Sequence, residues 1–145
     1  MVSWRDGASQ QAQDDLDGLL APSFGFAQQQ LDKHGVFYPY AVVIDHDGQQ
    51  RMVAADTDVD QPTSADLITT LVATLSEQRD HLRAAAIVAD VRLPHTGGDA
   101  VRVALEHRER VALTILLPYR IRRFGRRVDY GDLQAGTAAV FIWPP

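Results

Sequence analysis

One short segment near the C-terminus combines arginines with aromatic side chains, residue types that bind ligands by charge and by stacking. Segment 119–130 holds seven candidate binding residues: Tyr119, Arg120, Arg122, Arg123, Phe124, Arg126 and Arg127. Guanidinium groups clamp phosphates, and aromatic rings stack on bases. The same residue types are enriched at protein–protein interfaces. The segment is therefore a predicted contact surface, either for a protein or for a phosphate-bearing ligand.

The charge of this segment contrasts with that of the remaining chain. The whole chain has a net charge of −5 and a pI near 5.4, so the five arginines at 120–127 leave −10 on the rest. An acidic protein repels nucleic acid everywhere else, and one basic segment is a small electrostatic footprint. We therefore favour a protein partner, with nucleic acid or a phosphate ligand as the alternative. A purely structural explanation pairs the arginines with Asp129, Asp132 or the Asp56–Asp60 loop.

Other residues that could do chemistry lack the spacing of a catalytic or metal site. Asp56, Asp58 and Asp60 begin like a calcium loop, but Gln61 and Leu67 stand where that loop needs glycine and glutamate. The five histidines show no ligand spacing, no serine lies in a Gly-x-Ser-x-Gly elbow, and there is no cysteine. We predict no catalytic residue, no metal and no cofactor. A small hydrolase using Asp and His is an alternative that no motif supports.

Two helices are predicted in the first quarter of the chain. Residues 1–8 show no periodicity and are predicted to form a flexible arm. In residues 9–21, which are mostly polar, the few apolar residues recur at helical spacing, so a helix is predicted there that Pro22 should end. Ser23 can cap a second helix, and Gly35 is a suitable C-terminal stop.

A hairpin and a third helix follow. Aromatic and β-branched residues from Val36 to Ile44 lead into Asp47-Gly48, and an Asp-Gly pair between apolar runs is a strong hairpin signal. The third helix begins at Thr63 or Ser64 and extends to Leu82 with an apolar stripe. It should cover one face of a sheet.

Three alternating segments then predict antiparallel strands joined as a meander. Their inward apolar sets are Ile87, Ala89, Val91 and Leu93, then Val101, Val103 and Leu105, then Val111, Leu113, Ile115 and Leu117. Their other faces carry Asp90, Arg92, Arg102, Glu106 and Thr114, which suits a surface open to water or to a partner. Residues 137–143 form a candidate last strand.

These elements predict a single α+β domain over residues 1–145. Its antiparallel sheet would have five or six strands with the helices packed on one face, in the order ααββαβββ with one further β optional. A chain of 145 residues with 46% hydrophobic residues can build one substantial core. The N-terminus has no apolar leader, and no stretch reaches the roughly 18 apolar residues of a membrane span. We therefore expect a cytoplasmic protein without a membrane partner.

Between residues 23 and 117 the element order resembles that of profilin-like and roadblock-type domains. The residues that carry the resemblance are 41–48, with the sequence AVVIDHDG, and the crossover helix at 64–82. The resemblance implies an adaptor that pairs through helix or strand edges and binds small GTPases or signalling partners. Phe37-Tyr38-Pro39 is also similar to the strand entry of an uncharacterised bacterial family of unknown function. We expect a non-catalytic protein-interaction module of a bacterial cytoplasm, either a homodimer or bound to a protein partner.

Overall fold

Two α-helices and one antiparallel sheet of seven strands make up the fold. A computed structural model describes residues 4–122, 124, 127–138 and 140–143. The helices are α1 (Gln10–His34) and α2 (Ser64–Glu77), with short 3-10 helices at Trp4–Gly7 and Arg79–His81. The strands are β1 (Tyr40–Asp45), β2 (Gln50–Ala54), β3 (Leu82–Arg92), β4 (Asp99–His107), β5 (Val111–Ile121), β6 (Val128–Tyr130) and β7 (Gln134–Thr137).

The strand order confirms the predicted α+β class and antiparallel sheet. The order is β2-β1-β3-β4-β5-β6, and β7 also pairs with β5. The sheet has seven strands rather than five or six, because residues 128–137 supply two short strands instead of one loop. The predicted last strand at 137–143 is wrong for the residues described there, since the pairing of β7 ends at Thr137 and residues 141–143 form bends; residue 139 of that range lies outside the described residues.

The predicted break between two N-terminal helices is also wrong, because α1 continues through Pro22. A proline lacks the N–H that would bond to the carbonyl four residues earlier, here that of Gly18. That carbonyl accepts a hydrogen bond from the Gln50 side-chain amide at 3.1 Å instead. The carbonyl that Pro22 leaves without an N–H partner is thus hydrogen-bonded by the side chain of Gln50 in β2. Gly35 ends the helix as predicted, with φ of 73° and its N–H bonded to the Leu31 carbonyl at 2.9 Å.

The helices lie on opposite faces of the sheet, which corrects the prediction that they share one face. On the α1 face, Val42, Ala86 and Val103 pack against buried apolar residues of α1. On the α2 face, Val43 and Ile87 pack against buried leucines of α2. Because β1 and β3 are buried on both faces, their odd-numbered and even-numbered positions are both mostly apolar. The period-two pattern therefore does not show which of the two sets of residues faces which helix.

The hairpin and α2 form close to the predicted positions. Gly48, with φ of 92°, lies in the tight turn between β1 and β2. Thr63 caps α2, and Asp66 completes a capping box. The helix ends at Glu77 rather than Leu82, because residues 79–81 tighten into a 3-10 turn and Leu82 already begins β3.

The N-terminal residues that the structure describes are attached to α1. Residues 4–7, predicted as part of a flexible arm, form a 3-10 turn, and Arg5 pairs with Asp17 at 2.7 Å. Residues 1–3 of that predicted arm lie outside the described residues. Among the described helices, none has the length and the apolar character needed to cross a membrane.

Candidate functional site

The predicted arginine segment forms the hairpin between β5 and β6. Arg120 lies opposite Asp129 in the strand register, and the Arg122 N–H donates to the Arg127 carbonyl at 2.8 Å. The Arg122 side chain donates to the Asp129 carboxylate, and Arg127 Nε lies 3.5 Å from the same carboxylate. Arg122 and Arg127 are therefore ion-paired within the hairpin, while Arg120 is exposed and makes no ion pair with another described residue.

The two aromatic residues of the predicted site have opposite environments. Tyr119 is buried, and its hydroxyl donates to the Asp90 carboxylate at 2.7 Å. Burial raises the pKa of the Asp90 carboxyl and also that of the Tyr119 phenol. Phe124, in contrast, is 92% exposed. The structure thus places one ring in the core and the other on the surface; the predicted residues Arg123 and Arg126 lie outside the described part of the chain.

Histidines and acidic residues do not assemble into a metal-binding group among the residues that the structure describes. His46 and His81 have ring centroids 6.3 Å apart, beside a polar cavity of about 340 Å³ at the β1–β2 turn. Asp56, Asp58 and Asp60 are exposed. The geometry therefore gives no support to a calcium loop at these aspartates.

A buried cluster of ionisable residues joins α1 to β3 and β4. The Asp15 carboxylate accepts two hydrogen bonds from Arg83, at 2.7 and 3.1 Å, and lies 2.8 Å from His107 Nε2. The backbone N–H of Glu109 donates to His107 Nδ1 at 3.1 Å. Nδ1 is therefore the unprotonated nitrogen, so that Nε2 carries the proton that is donated to Asp15.

The cluster of Asp15, Arg83 and His107, here named the Asp15 cluster, holds α1 against the sheet and is not arranged for proton transfer. Both ring nitrogens of His107 are engaged, and its side chain is fully buried. A general base needs to reach a substrate proton within hydrogen-bond distance. His107 has no such access in this arrangement, and its hydrogen bonds instead fix α1 against the sheet.

A pocket of about 440 Å³ lies on the α2 face of the sheet. It exists because α2 packs mainly on β1 and β3 and leaves part of β4 and β5 uncovered on that face. The floor comes from β3, β4 and β5, and the walls come from α2 and the C-terminal residues. Ile87, Ala104 and Thr114 belong to the floor, and Ile68, Val72 and Ile142 belong to the walls. The volume is within the range of small-molecule sites, roughly 300 to 1,000 Å³, and the lining is mostly apolar as in such sites.

One wall of the pocket is held by a single buried carboxylate. Glu106 accepts hydrogen bonds from three consecutive backbone N–H groups, those of Phe141 at 2.9 Å, Ile142 at 2.9 Å and Trp143 at 2.6 Å. We name Phe141–Trp143 the C-terminal strap. Ile142 and Trp143 are buried against the cluster formed by α2 and β3. Glu106 thereby fixes the strap over the sheet, at one end of the pocket.

Arg102 contributes a positive charge to the pocket lining. It lies on β4 between Ala89 of β3 and Leu116 of β5, four residues from Glu106 on the same face. Its side chain is partly buried, and it forms no hydrogen bond or ion pair with any residue that the structure describes. A partly buried guanidinium whose donors bond to no described residue favours an anionic partner.

Comparison with known proteins does not assign a family to this chain: no family model, no curated protein and no solved structure matches it. The resemblance to profilin-like and roadblock-type domains accordingly stays a prediction. Function has to be inferred from the geometry of the sites described above.

Three residues of the pocket stand out in the sequence, whereas the pocket itself does not. Arg102, Glu106 and Thr114 were predicted to line a sheet face open to water or to a partner, and Arg102 and Thr114 do so. Glu106 does not, because the strap buries it. An available signal was the apolar Ile142-Trp143 pair after the last strand, since two large apolar residues at that position need a surface to cover.

Proposed function

We propose that this protein is a non-catalytic binding domain and that its ligand site is the pocket on the α2 face. The observation that carries the proposal is an apolar pocket of about 440 Å³ whose lining includes Arg102, an arginine that pairs with no described residue. A mostly apolar pocket with few convergent polar groups is the usual form of a small-molecule site. Its floor lies on three hydrogen-bonded strands, so the site is largely preformed.

The surroundings of the ionisable residues support binding rather than catalysis. Nucleophilic and general-base catalysis need a reactive group within hydrogen-bond reach of the substrate. In the pocket, the Glu106 carboxylate is occupied by the strap, while Thr69 and Thr114 supply hydroxyl groups without a neighbouring base in the described lining. This lining suits a domain that holds a ligand without changing it.

The test of this proposal is a titration of ¹⁵N-labelled protein with octanol, a small amphipathic probe. We expect saturable shifts of the backbone amides of Ile87, Ala104 and Thr114, because these residues line the floor. In the Ala104→Phe variant the added ring fills the pocket, so the shifts should disappear. Ala54→Phe is the matched control, since it adds the same ring at an exposed position on β2.

The controls decide between a pocket and unspecific adsorption. Ala54→Phe should bind octanol like the wild type, and both variants should keep the wild-type circular dichroism spectrum. Shifts that do not saturate, or that persist unchanged in Ala104→Phe, would contradict the proposal.

A second candidate function is a protein contact at the β5–β6 hairpin, as the arginine segment predicts. The exposed side chains of Ile121 and Phe124, 44% and 92% exposed, favour it, together with the neighbouring Arg120. Pairing of Arg122 and Arg127 with Asp129 leaves fewer cations for a nucleic acid, so we favour a protein, and first a second copy of the chain.

Light scattering with size exclusion over a range of protein concentrations tests this contact. We expect a wild-type dimer that dissociates in the Arg120→Ala/Phe124→Ala variant but not in the control Arg92→Ala, an exposed arginine at the end of β3. A wild type that stays monomeric at every concentration would overturn the homodimer. Salt-dependent RNA binding that needs Arg120 would instead favour the nucleic-acid alternative.

A further inference from the structure

We infer that the ligand of the α2-face pocket is a small monocarboxylate with an apolar body, bound through Arg102. This inference rests on the proposed function of the pocket and specifies its ligand class. It follows from three observations: which charges the pocket contains, how many of them are already used, and how apolar and polar lining residues are distributed along β4.

Charge in the described lining comes from two residues, Glu106 and Arg102. Both carboxylate oxygens of Glu106 accept backbone N–H groups of the strap, at 2.6 to 3.2 Å. These hydrogen bonds stabilise the carboxylate of Glu106 and engage both of its oxygens, so that neither is left for a ligand. Arg102 has no corresponding partner among the described residues. The charge available to a ligand in the pocket is therefore positive.

A carboxylate matches a single guanidinium better than a phosphate does. The guanidinium fork forms two parallel hydrogen bonds with the two oxygens of one carboxylate, and the pair is then electrically neutral. A phosphate ester carries up to two negative charges near neutral pH. No second cation lies in the described lining to balance it, and the whole chain has a net charge of −5. One arginine in an acidic protein thus favours one carboxylate.

The apolar body of the ligand is inferred from the residues between Arg102 and the strap. Ala104 lies between them on β4, with Ile87 on one side and Thr114 on the other. Four residues along a strand span roughly 13 Å, which sets the length of the site. A ligand bound at Arg102 would extend its apolar part over Ala104 toward Ile142, where α2 supplies Ile68 and Val72.

The experiment compares octanoate with octanol, which share the alkyl chain and differ in the charged head group. Both are titrated by NMR into wild type, Arg102→Gln and the matched control Arg92→Gln, whose arginine lies at the exposed end of β3. We expect octanoate to bind wild type and Arg92→Gln equally, and to bind Arg102→Gln about 10- to 100-fold more weakly, the usual contribution of a charge-assisted bond. Octanol should bind all three proteins alike.

The outcomes separate this inference from the proposed function on which it rests. The carboxylate inference is overturned, and the pocket stands, if octanol shifts the lining amides but octanoate binds wild type no more tightly than octanol does. It is overturned as well if octanoate binds Arg102→Gln as tightly as wild type. Failure of both probes to shift those amides overturns the proposed function itself. The Arg102→Lys variant adds a readout of geometry, because a lysine keeps the charge but loses the paired donors; we expect intermediate octanoate affinity.

Discussion

The two faces of the sheet are closed in different ways. On the α1 face, a helix of 25 residues covers the sheet, and the Asp15 cluster bonds that helix to β3 and β4. On the α2 face, a helix of 14 residues packs mainly on β1 and β3, and the C-terminal strap covers part of the remainder through Glu106. The first face carries the larger cluster of buried side chains, and the second contains the pocket of about 440 Å³.

This difference assigns distinct roles to two buried carboxylates. Asp15 satisfies the side chains of Arg83 and His107, so it contributes to the packing of the whole helix. Glu106 satisfies three backbone N–H groups of one short segment, so its contribution is local. We therefore expect changes at Asp15 to affect global stability and changes at Glu106 to affect mainly the strap and the pocket.

The largest effect is expected from Asp15→Ala. The substitution leaves Arg83 and the Nε2–H of His107 without their acceptor in a buried position. Removing one partner of a buried ion pair lowers the free energy of unfolding by about 3 to 5 kcal/mol. Urea denaturation followed by circular dichroism measures the loss. If Asp15→Ala does not fold, Asp15→Asn keeps one acceptor oxygen and should show a smaller loss.

Asp17→Ala is the control for this change. Asp17 lies on the same helix and pairs with Arg5, but that pair is exposed to solvent, where ion pairs contribute little. We expect a much smaller loss of stability than for Asp15→Ala. Equal losses in the two variants would show that the buried cluster has no special role on the α1 face.

A smaller and more local effect is expected from Glu106→Gln. The neutral amide has one acceptor oxygen in place of two charged ones, and its NH₂ group faces the N–H donors of the strap. The free energy of unfolding should fall by about 2 kcal/mol, in the range of charge-assisted hydrogen bonds. Faster hydrogen exchange at the amides of residues 141–143 should accompany the loss. In a Trp4→Phe background, the emission of Trp143 should shift to longer wavelength because the ring becomes exposed.

Glu77→Gln, at the exposed end of α2, is the matched control and should leave exchange in the strap unchanged. Octanol binding gives a second readout, since Ile142 lines the pocket and moves with the strap. Wild-type exchange protection at residues 141–143 in Glu106→Gln would contradict the role assigned to the carboxylate.

The α1 face shows where local sequence rules were insufficient. Pro22 predicts a helix end, and the prediction was wrong because α1 buries apolar residues against the sheet on both sides of the proline, such as Leu19 and Phe24. The Gly18 carbonyl that the proline leaves open bonds to the side chain of Gln50, which is distant in sequence. The same limit applies to β3, where Ile87 was assigned to the inward set of Val101 and Val103. The strand is buried on both faces, and the residues that share the face of Val103 are Ala86 and Val88. Local patterns predict elements, whereas contacts between distant residues decide their ends and faces.

The α2 face shows the corresponding limit for the site. Residue types predicted segment 119–130 because its arginines are adjacent in sequence, and adjacency is visible without a structure. The pocket combines residues of α2, three strands and the strap, and no pair of these elements is recognisable as a site in the sequence. Arg102 looks like an ordinary exposed residue of an alternating strand until the strap and α2 are placed beside it.

The smallest effect, again on the α2 face, is expected from the capping box of α2. The Asp66 carboxylate accepts a hydrogen bond from the Thr63 backbone N–H at 3.0 Å, and this bond, together with one from the Thr63 side chain, holds the pKa of Asp66 below its usual value of 3.8. Because the pKa is lower in the folded state, the stabilisation is fully present above about pH 4 and is lost as the pH falls through the folded pKa.

Asp66→Asn should therefore be less stable than wild type at neutral pH, and the difference should shrink as the pH is lowered below about 4. Thr63→Ala removes the other half of the box and should lower the free energy of unfolding by about 1 kcal/mol, the usual contribution of a helix N-cap. Urea denaturation at several pH values measures both. A difference between Asp66→Asn and wild type that stays constant down to about pH 3 would mean that the carboxylate charge contributes nothing to α2. The packing of α2 on β1 and β3 would then depend on its leucine stripe and on the Thr63 cap, without the charge of Asp66.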